Sequence, residues 1–429
     1  MLWSVIPLSP CRRLASVGAA AALASAPALA AGGSTDAPSG RLGPEAECRV
    51  EDGRLFGPWR QSARPLVACY TGPYAQRHPG FVEAAQRAAR VVGGRYLEIR
   101  KEDLRPSSND ENGALLYPDG VARVMLLLMP GGHAAYSMAD LAGISDPLDP
   151  KAMVAEREKF EEMRKNPRTA FERGMNYLGA CGGFFAACSG YTMPRSLHTG
   201  WGLWPGKVDD LGPAHRPPFP DVVFDDAPSD HPLVRAAGGR LRQMYYHGGP
   251  MGVQEGVEGT EYLGRYRGGN MPEIEGDWFL VAYRPVDRPM NGRCVIATGH
   301  PEANHREFLT AMALYAMDHE METPCRSLRT GESVEATIGD EQMHYYLLDA
   351  PAGGWVRLAL AGLSENCDLY VRRERPPTTW RYDFKSASSG IVSDSIAFVA
   401  AMPGPYFVAV HGAHDCLNGV RYTLAVGPP

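Results

Sequence analysis

The sequence predicts two folded parts: an open, mostly parallel α/β sheet with helices on both faces, and a C-terminal all-β sandwich. Short apolar runs that end at glycine- or proline-rich turns alternate with helix-like segments through the first part, as in parallel sheets. From Gly331 the pattern changes to short alternating runs separated by turn residues, which is typical of an antiparallel sandwich. A chain of 429 residues is long enough for both parts.

The N-terminus predicts an export signal. Arg12 and Arg13 precede an alanine-rich apolar run over 14–29, and Ala28-Leu-Ala30 has the small-x-small pattern of a signal-peptidase site. We predict cleavage after Ala30; a membrane anchor is the alternative, and the shortness of the run argues against it. The expected location is the periplasm or the extracellular space, with no stable membrane insertion after the signal is removed.

The net charge and the cysteine content indicate which kinds of partner and cofactor the protein is expected to have. Loss of residues 1–30 removes two arginines and no acid, which leaves 41 basic and 49 acidic residues and a net charge of −8 with histidine neutral. This balance gives no basic face for nucleic acid. Nine cysteines suit an oxidising compartment, with Cys294–Cys325 and Cys367–Cys416 as candidate pairs, although sequence does not fix connectivity. No C-x-x-C or tight Cys/His cluster occurs, so neither a metal nor a cofactor is expected.

The elements of the first part follow from apolar runs, helical spacing and turn residues. The run 122–129 is the most hydrophobic of the mature chain and ends abruptly at Pro130-Gly-Gly132, as a central parallel strand would. By the same criteria, the predicted strands are 64–70, 96–99, 122–129, 176–178, 242–246, 278–283 and 294–297. The predicted helices are 81–92, 152–165, 169–175, 184–188 and 304–320.

A glycine-rich turn at 177–189 is the strongest candidate for a catalytic feature. Gly179 and Gly183 flank Cys181 with the spacing G-x-C-x-G, between a strand and an apolar helix-like run. This is the cysteine form of a nucleophile elbow, in which a sharp strand-to-helix turn holds the nucleophile in a strained conformation. The positive end of the following helix favours a thiolate. The alternative is a buried, inert cysteine in a packing turn.

Three predicted strand ends would meet at one edge of such a sheet. They carry Gly132, Cys181 and the pair His300 and Glu302. We assign Cys181 as nucleophile, His300 as base and then acid, and Glu302 as the group that orients the imidazole. Backbone N–H groups at Gly132 and Gly182 would form the oxyanion hole. Structural alternatives are a satisfied core histidine at His300 and a helix N-terminal charge at Glu302.

Weaker candidates for substrate contact lie beside these turns. His133 follows the proposed oxyanion loop, and His247 with Gly248 opens another predicted strand-to-turn transition.

Five ordered motifs resemble the class I glutamine amidotransferase family, and within it the domain named for the N-terminus of biotin-protein ligase. The residues that carry the resemblance are Leu66–Pro73, Met125–Gly132, Tyr177–Ala186, Tyr245–Pro250 and Gly299–Glu302. The resemblance implies a flavodoxin-like sheet and a Cys-His-Glu triad. The chain has no ligase catalytic domain and no ammonia-accepting synthetase, so only thiol chemistry on an amide or acyl group is carried over.

The C-terminal part resembles the bacterial pre-peptidase C-terminal domain. The residues that carry the resemblance are Asn366–Val371, Pro377-Thr378, Tyr382-Asp383 and Pro403–Tyr406. An acidic residue usually stands in the family where this chain has Asn366, which puts a cation-binding role in doubt. The resemblance implies attachment to an extracellular polymer or a role in secretion, with a passive stabilising module as the alternative.

The sequence therefore predicts an exported cysteine hydrolase of a small-molecule or peptide amide, such as a cell-wall component. Alternatives are a non-catalytic ligand-binding or adhesive protein on the same scaffold, and acyl transfer to an amine. The expected divisions are a signal peptide over 1–30, a linker over 31–58, the amidotransferase-like domain over 59–325, a linker over 326–332 and the sandwich over 333–429.

Overall fold

The computed structural model describes residues 42, 48–72, 75, 79–104, 114–132, 151, 157–193, 196–198, 200–210, 219–269, 271–413 and 419–427. The chain divides into two compact units, 1–37 and 38–429, and every described residue belongs to the second. The predicted signal peptide, His133 and Cys416 lie outside the described residues.

Strands are the main elements. They are β1 (Arg49–Glu51), β2 (Arg54–Gly57), β3 (Leu66–Tyr70), β4 (Arg95–Ile99), β5 (Val124–Met129), β6 (Asn176–Ala180), β7 (Cys188–Met193), β8 (Ser196–His198), β9 (Trp204–Asp210), β10 (Asp221–Val223), β11 (Arg240–Leu241), β12 (Pro250–Met251), β13 (Thr260–Arg267), β14 (Trp278–Tyr283), β15 (Cys294–Ala297), β16 (Met321–Thr323), β17 (Cys325–Leu328), β18 (Ser333–Ile338), β19 (Met343–Ala350), β20 (Trp355–Ala361), β21 (Cys367–Arg373), β22 (Phe384–Ser386), β23 (Asp394–Val399), β24 (Gly404–Gly412) and β25 (Val420–Gly427).

Helices are fewer and mostly short. They are α1 (Pro79–Val91), α2 (Arg157–Glu172), α3 (Gly182–Ala187), α4 (Pro232–Ala237), α5 (Pro301–Asn304) and α6 (Arg306–Met317), with a 3-10 turn at Pro272–Ile274. The predicted helices 152–165 and 169–175 are replaced, over the described residues, by the single helix α2, which continues through Pro167.

The largest sheet, called here the large sheet, has nine strands in the order β11-β10-β13-β14-β15-β6-β5-β3-β4. Four neighbouring pairs in this order are parallel: β15 with β6, β6 with β5, β5 with β3, and β3 with β4. The remaining four pairings, from β11 to β15, are antiparallel. The carboxyl ends of β6 and β15 lie side by side, with Ala180 paired to Ala297.

The predicted fold class, an open and mostly parallel α/β sheet with helices on both faces plus one sandwich, is wrong. The structure is mostly β, with 42% of residues in strands and 19% helical, and it has several sheets. Within the large sheet, half of the pairings are antiparallel. The connections 268–277 and 284–293, which join β13 to β14 and β14 to β15, are shorter than a parallel crossover needs. No strand is predicted from the sequence over 221–223 or 260–267, because alternating burial makes the apolar signal weak there.

The central strands are buried on both sides. In β5, Leu126 and Leu128 belong to one core cluster, whereas Leu127 and Met129 belong to another. This alternation follows from the two-residue period of a strand. The first cluster also takes residues from α1 and α6, and the second from α2 and α3. Because apolar residues are needed on both sides, these strands were predicted well as continuous apolar runs.

Four smaller sheets complete the described structure. Two are formed by residues that precede β17, in the orders β1-β2-β16 and β12-β9-β7-β8. The C-terminal residues form two more, β17-β19-β24-β21-β22 and β18-β25-β20-β23, here called the C-terminal sheets. A separate core cluster that includes Leu358, Val410 and Leu424 is drawn from both C-terminal sheets.

A buried carboxylate joins the C-terminal sheets to the amino end of the large sheet. Asp340 is 3% exposed and accepts hydrogen bonds from Arg95 at 2.8 Å and from Arg123 at 3.2 Å. Nearby, Asp119 accepts hydrogen bonds from Gln342 at 2.9 Å and from His344 at 3.0 Å. Charge-assisted hydrogen bonds of this kind hold the C-terminal sheets against the amino end of the large sheet.

Across the part of the chain that the structure describes, no helix combines the length and apolar character needed to cross a bilayer.

Candidate active site

Cys181 lies in the turn between β6 and α3 with an unusual backbone conformation. Its φ of 49° and ψ of −106° fall outside the regions that side-chain-bearing residues normally adopt. Holding a residue there costs about 1–3 kcal/mol, so the surrounding structure must impose it. The Cys181 N–H donates to the Ala297 carbonyl at 2.9 Å, and the Cys181 carbonyl accepts from Phe184 at 2.9 Å. The turn is thus fixed at both sides of the sulfur.

The glycines around Cys181 permit close backbone approach. A Cβ atom at Gly183 would lie 2.1 Å from the Met129 carbonyl oxygen, and one at Gly179 would lie 2.6 Å from the Gly183 carbonyl oxygen. Neither space admits a side chain. The spacing G-x-C-x-G therefore has a steric cause in this fold.

His300 and Glu302 form a buried pair at the end of the neighbouring strand β15. The His300 Nδ1 donates to Glu302 Oε1 at 2.7 Å, and each residue is 3% exposed. The backbone N–H of His300 also donates to the Tyr245 carbonyl at 2.8 Å. With Nδ1 engaged by the carboxylate, Nε2 is the ring nitrogen left for a further partner.

The structure brings Cys181 to that imidazole, since the two side chains share a hydrogen bond. Burial alone would lower the pKa of His300, but the charge and hydrogen bond of Cys181, followed by those of Glu302, raise the pKa above its ordinary value. The imidazole is therefore held in a setting that stabilises its protonated form next to sulfur. Charge separation between sulfur and imidazole is what a nucleophilic thiol requires.

The predicted oxyanion residues lie together beside the sulfur. A Cβ atom at Gly182 would lie 3.0 Å from the Gly132 nitrogen. One at Gly131 would lie 2.7 Å from His300 Cε1 and 3.3 Å from Cys181 Cβ. Gly182 is also the first residue of α3, where N–H groups have no acceptor within the helix. These backbone groups border the space next to Cys181.

The weaker candidates are only partly brought to the site. His133 lies outside the described residues. His247 is exposed, and Gly248 is half-buried with a positive φ of 59°. The ring of His247 stacks on Tyr245, with centroids 6.1 Å apart, and Tyr245 in turn lies 5.3 Å from the ring of His300. The ring of Tyr245 thus contacts both His247 and His300.

Tyr245 is the site residue that sequence reasoning missed. It contacts His300 with both its carbonyl and its ring, and its other side meets the exposed ring of Phe219 at 5.7 Å. The predicted strand over 242–246 is wrong, because the strand here is limited to β11 (Arg240–Leu241) and Tyr245 lies in irregular backbone. The motif Tyr245–Pro250 was visible in sequence, but an irregular segment gives no periodic signal for which side chain turns inward.

Other cysteines differ from Cys181. Cys181 is not disulfide-bonded to Cys188, and Cys294 is not bonded to Cys325, so that candidate pair is wrong in this structure. Burial raises the pKa of Cys188 to about 12 and raises the pKa of Cys294 well above the ordinary value, which suppresses their reactivity.

Among the described residues, no group of three or more His, Cys, Asp or Glu side chains is arranged to hold a metal ion.

Comparisons with solved structures find neighbours of low sequence identity. No family model matches the chain, and no curated protein matches it. A solved glutamine amidotransferase is 16% identical over 57% of this chain and 98% of that chain, with a TM-score of 0.32. The pre-peptidase C-terminal domain of a Bacillus anthracis collagenase is 16% identical over 24% of this chain and 93% of that chain, with a TM-score of 0.20. PliG of Aeromonas hydrophila, a periplasmic inhibitor of g-type lysozyme, is 17% identical over 24% of this chain and 95% of that chain, also with a TM-score of 0.20. At these identities and scores, we transfer neither fold nor activity from them.

Proposed function

We propose that this protein is a cysteine-dependent hydrolase of amide or acyl bonds, with Cys181, His300 and Glu302 as its catalytic residues. The observation that carries the proposal is the buried chain of contacts from the Cys181 side chain through His300 to Glu302 Oε1 at 2.7 Å. A merely structural cysteine has no need of a strained backbone, a paired imidazole and a supporting carboxylate at one point.

The first half of the reaction forms an acyl-enzyme. The Cys181 proton is first transferred to His300 Nε2, and the resulting thiolate attacks the substrate carbonyl carbon. The carbonyl oxygen becomes an oxyanion, to which the N–H groups of Gly132 and Gly182 donate in the proposed mechanism. When the C–N bond breaks, the leaving amine takes the proton from His300, and a thioester remains on Cys181.

The second half releases the acid. A water molecule gives a proton to His300 Nε2 and attacks the thioester carbon. The C–S bond then breaks, the carboxylic acid leaves, and the sulfur regains its proton from the imidazolium. Glu302 stays ionised and keeps the imidazole oriented in both halves, because its Oε1 accepts from Nδ1.

The substrate class and setting of the reaction follow from the sequence expectations. We propose a small-molecule or peptide amide met outside the cytoplasm, with an extracellular polymer as a contact for the C-terminal sheets. The proposed divisions are a signal peptide over 1–30 and a catalytic domain over 59–325. Acyl transfer to an amine would use the same thioester, with the amine in place of water.

The proposal is tested by mapping the reactive thiol in the full chain. We expect an electrophilic chloroacetamide probe to label Cys181 selectively, and Cys181→Ala to lose both that labelling and turnover of p-nitrophenyl acetate. Cys188→Ala is the matched control, since this thiol is buried seven residues away and should leave both readouts unchanged. Undiminished labelling and turnover in Cys181→Ala would reject the proposed enzymatic role of Cys181 and favour a non-catalytic ligand-binding protein.

A further inference from the structure

A cavity lies at the opposite end of the large sheet from Cys181. Its volume is about 250 Å³. Pro65, Gly93 and Met125 line it at the amino ends of β3, β4 and β5, whereas Cys181 follows the carboxyl end of β6. Met343 and Trp380, from the C-terminal sheets and the loop between β21 and β22, line its other side. The cavity is therefore walled by both parts of the chain.

The charged side chains around this cavity have one sign. Arg60 and Arg90 line it, and none of the described residues that line it is acidic. Arg60 is only 7% exposed. Its Nε donates to Cys48 Sγ at 2.9 Å, and its side chain is hydrogen-bonded to Tyr345, which also lines the cavity. A guanidinium held in place away from bulk water attracts a carboxylate or phosphate more strongly than one at the surface does.

Flat aromatic side chains supply the rest of the recognition surface. Trp59 and Tyr345 are buried in the wall, and Trp380, which also lines the cavity, has 54% of its surface exposed. A tryptophan left exposed beside a cavity offers a face on which a planar group can stack. A space of about 250 Å³ suits a compact molecule of one or two rings rather than an extended chain.

We propose that this cavity is a second ligand site, separate from the triad, which binds a planar organic anion such as an aromatic carboxylate. The rings stack between Trp380 and the aromatic wall, and the carboxylate faces Arg60 with Arg90 at the rim. Because both parts of the chain line the cavity, bound ligand also stabilises the contact between them.

The test uses the full chain and three probes that share one ring system: 2-naphthoate, 2-naphthylmethanol and 2-naphthylmethylammonium. By isothermal titration calorimetry, we expect saturable binding of 2-naphthoate, weaker binding of the alcohol and no binding of the cation. Trp380→Ala should weaken naphthoate binding about tenfold, through loss of a stacking face. Arg90→Gln changes an exposed side chain and leaves the fold intact. It should weaken the binding of 2-naphthoate but not the binding of 2-naphthylmethanol.

Trp355→Ala is the matched control, because Trp355 is a similarly exposed tryptophan on another sheet, with 58% of its surface accessible. Its naphthoate affinity should equal that of the wild type. The proposal is overturned if naphthoate does not bind the wild type saturably, if the cation binds equally well, or if Trp380→Ala and Trp355→Ala have the same affinity.

Discussion

Two buried histidines at opposite ends of the large sheet show how differently one side chain is used. His300 follows the carboxyl end of β15, and His319 contacts Asn176 at the amino end of β6; each is 3% exposed. Cys181 and Glu302 raise the pKa of His300 against the effect of burial. Burial, with Arg293 and Arg284, lowers the pKa of His319 well below its ordinary value.

The difference lies in the partners rather than in the degree of burial. The His319 Nε2 donates to Asn176 Oδ1 at 2.7 Å, and the same oxygen accepts from the Arg293 backbone N–H at 2.8 Å. The other ring nitrogen, Nδ1, lies 3.2 Å from the Glu320 carbonyl. These contacts close the amino end of the sheet, while burial and the two arginines disfavour a charge on the ring. His300 instead has an acidic partner on each side, an arrangement that stabilises a charged ring and that supports the proposed proton-transfer role.

The largest expected effect separates the two histidines by activity. His300→Gln should lower the turnover of p-nitrophenyl acetate about 1,000-fold, because general acid–base catalysis is lost. His319→Gln should keep near-normal turnover in folded protein and lose thermal stability instead. Steady-state kinetics would measure the turnover of both variants, and thermal unfolding would measure their stability. Equal turnover in the two variants would show that the two histidines do not differ as described.

Asn176 should matter more for stability than for chemistry. Its side chain donates to the Met125 carbonyl at 2.9 Å and accepts from both Arg293 and His319. Asn176→Ala leaves these buried groups without partners, so unfolding free energy should fall by about 2–4 kcal/mol in urea titrations. Asn304→Ala, an exposed position near His300, is the control and should change stability far less. A loss in Asn176→Ala no larger than in the control would contradict this assignment.

Glu302→Gln should have a smaller, pH-dependent effect. Glu302 helps to raise the pKa of His300, so removal of its charge should lower that pKa. The imidazolium then loses its proton at lower pH, and the alkaline limb of the pH–rate profile should shift to lower pH. We expect turnover at neutral pH to fall about tenfold. An unchanged alkaline limb would show that Glu302 does not act through His300.

The smallest effect concerns stability below neutral pH. The pKa of His319 is lowered on folding, so its contribution is complete above the ordinary histidine value, about 6.5, and is lost as pH falls below it. Unfolding free energies of wild type and His319→Gln should therefore converge as the pH is lowered from 7.5 to 5. Parallel curves would contradict the neutral state of this ring.

The sequence predicted the local elements and the convergence at Cys181 better than the sheet as a whole. The spacing G-x-C-x-G identified a turn that tolerates no larger residues, and continuous apolar runs located β3, β5, β14 and β15. The pairing direction of the strands could not be predicted from the sequence. The strands β10 and β13 are only partly buried, and their pairing partners depend on the connections between strands. Tyr245 and Asp340 were missed because their roles come from neighbours distant in the chain.

The most direct test of the central claim, that the imidazole of His300 activates the sulfur of Cys181, is the rate of Cys181 alkylation by iodoacetamide at pH 6. Wild-type protein should react at least about tenfold faster than His300→Gln, because an imidazolium stabilises the thiolate. His319→Gln should react at the wild-type rate. Identical rates for wild type and His300→Gln would contradict the account.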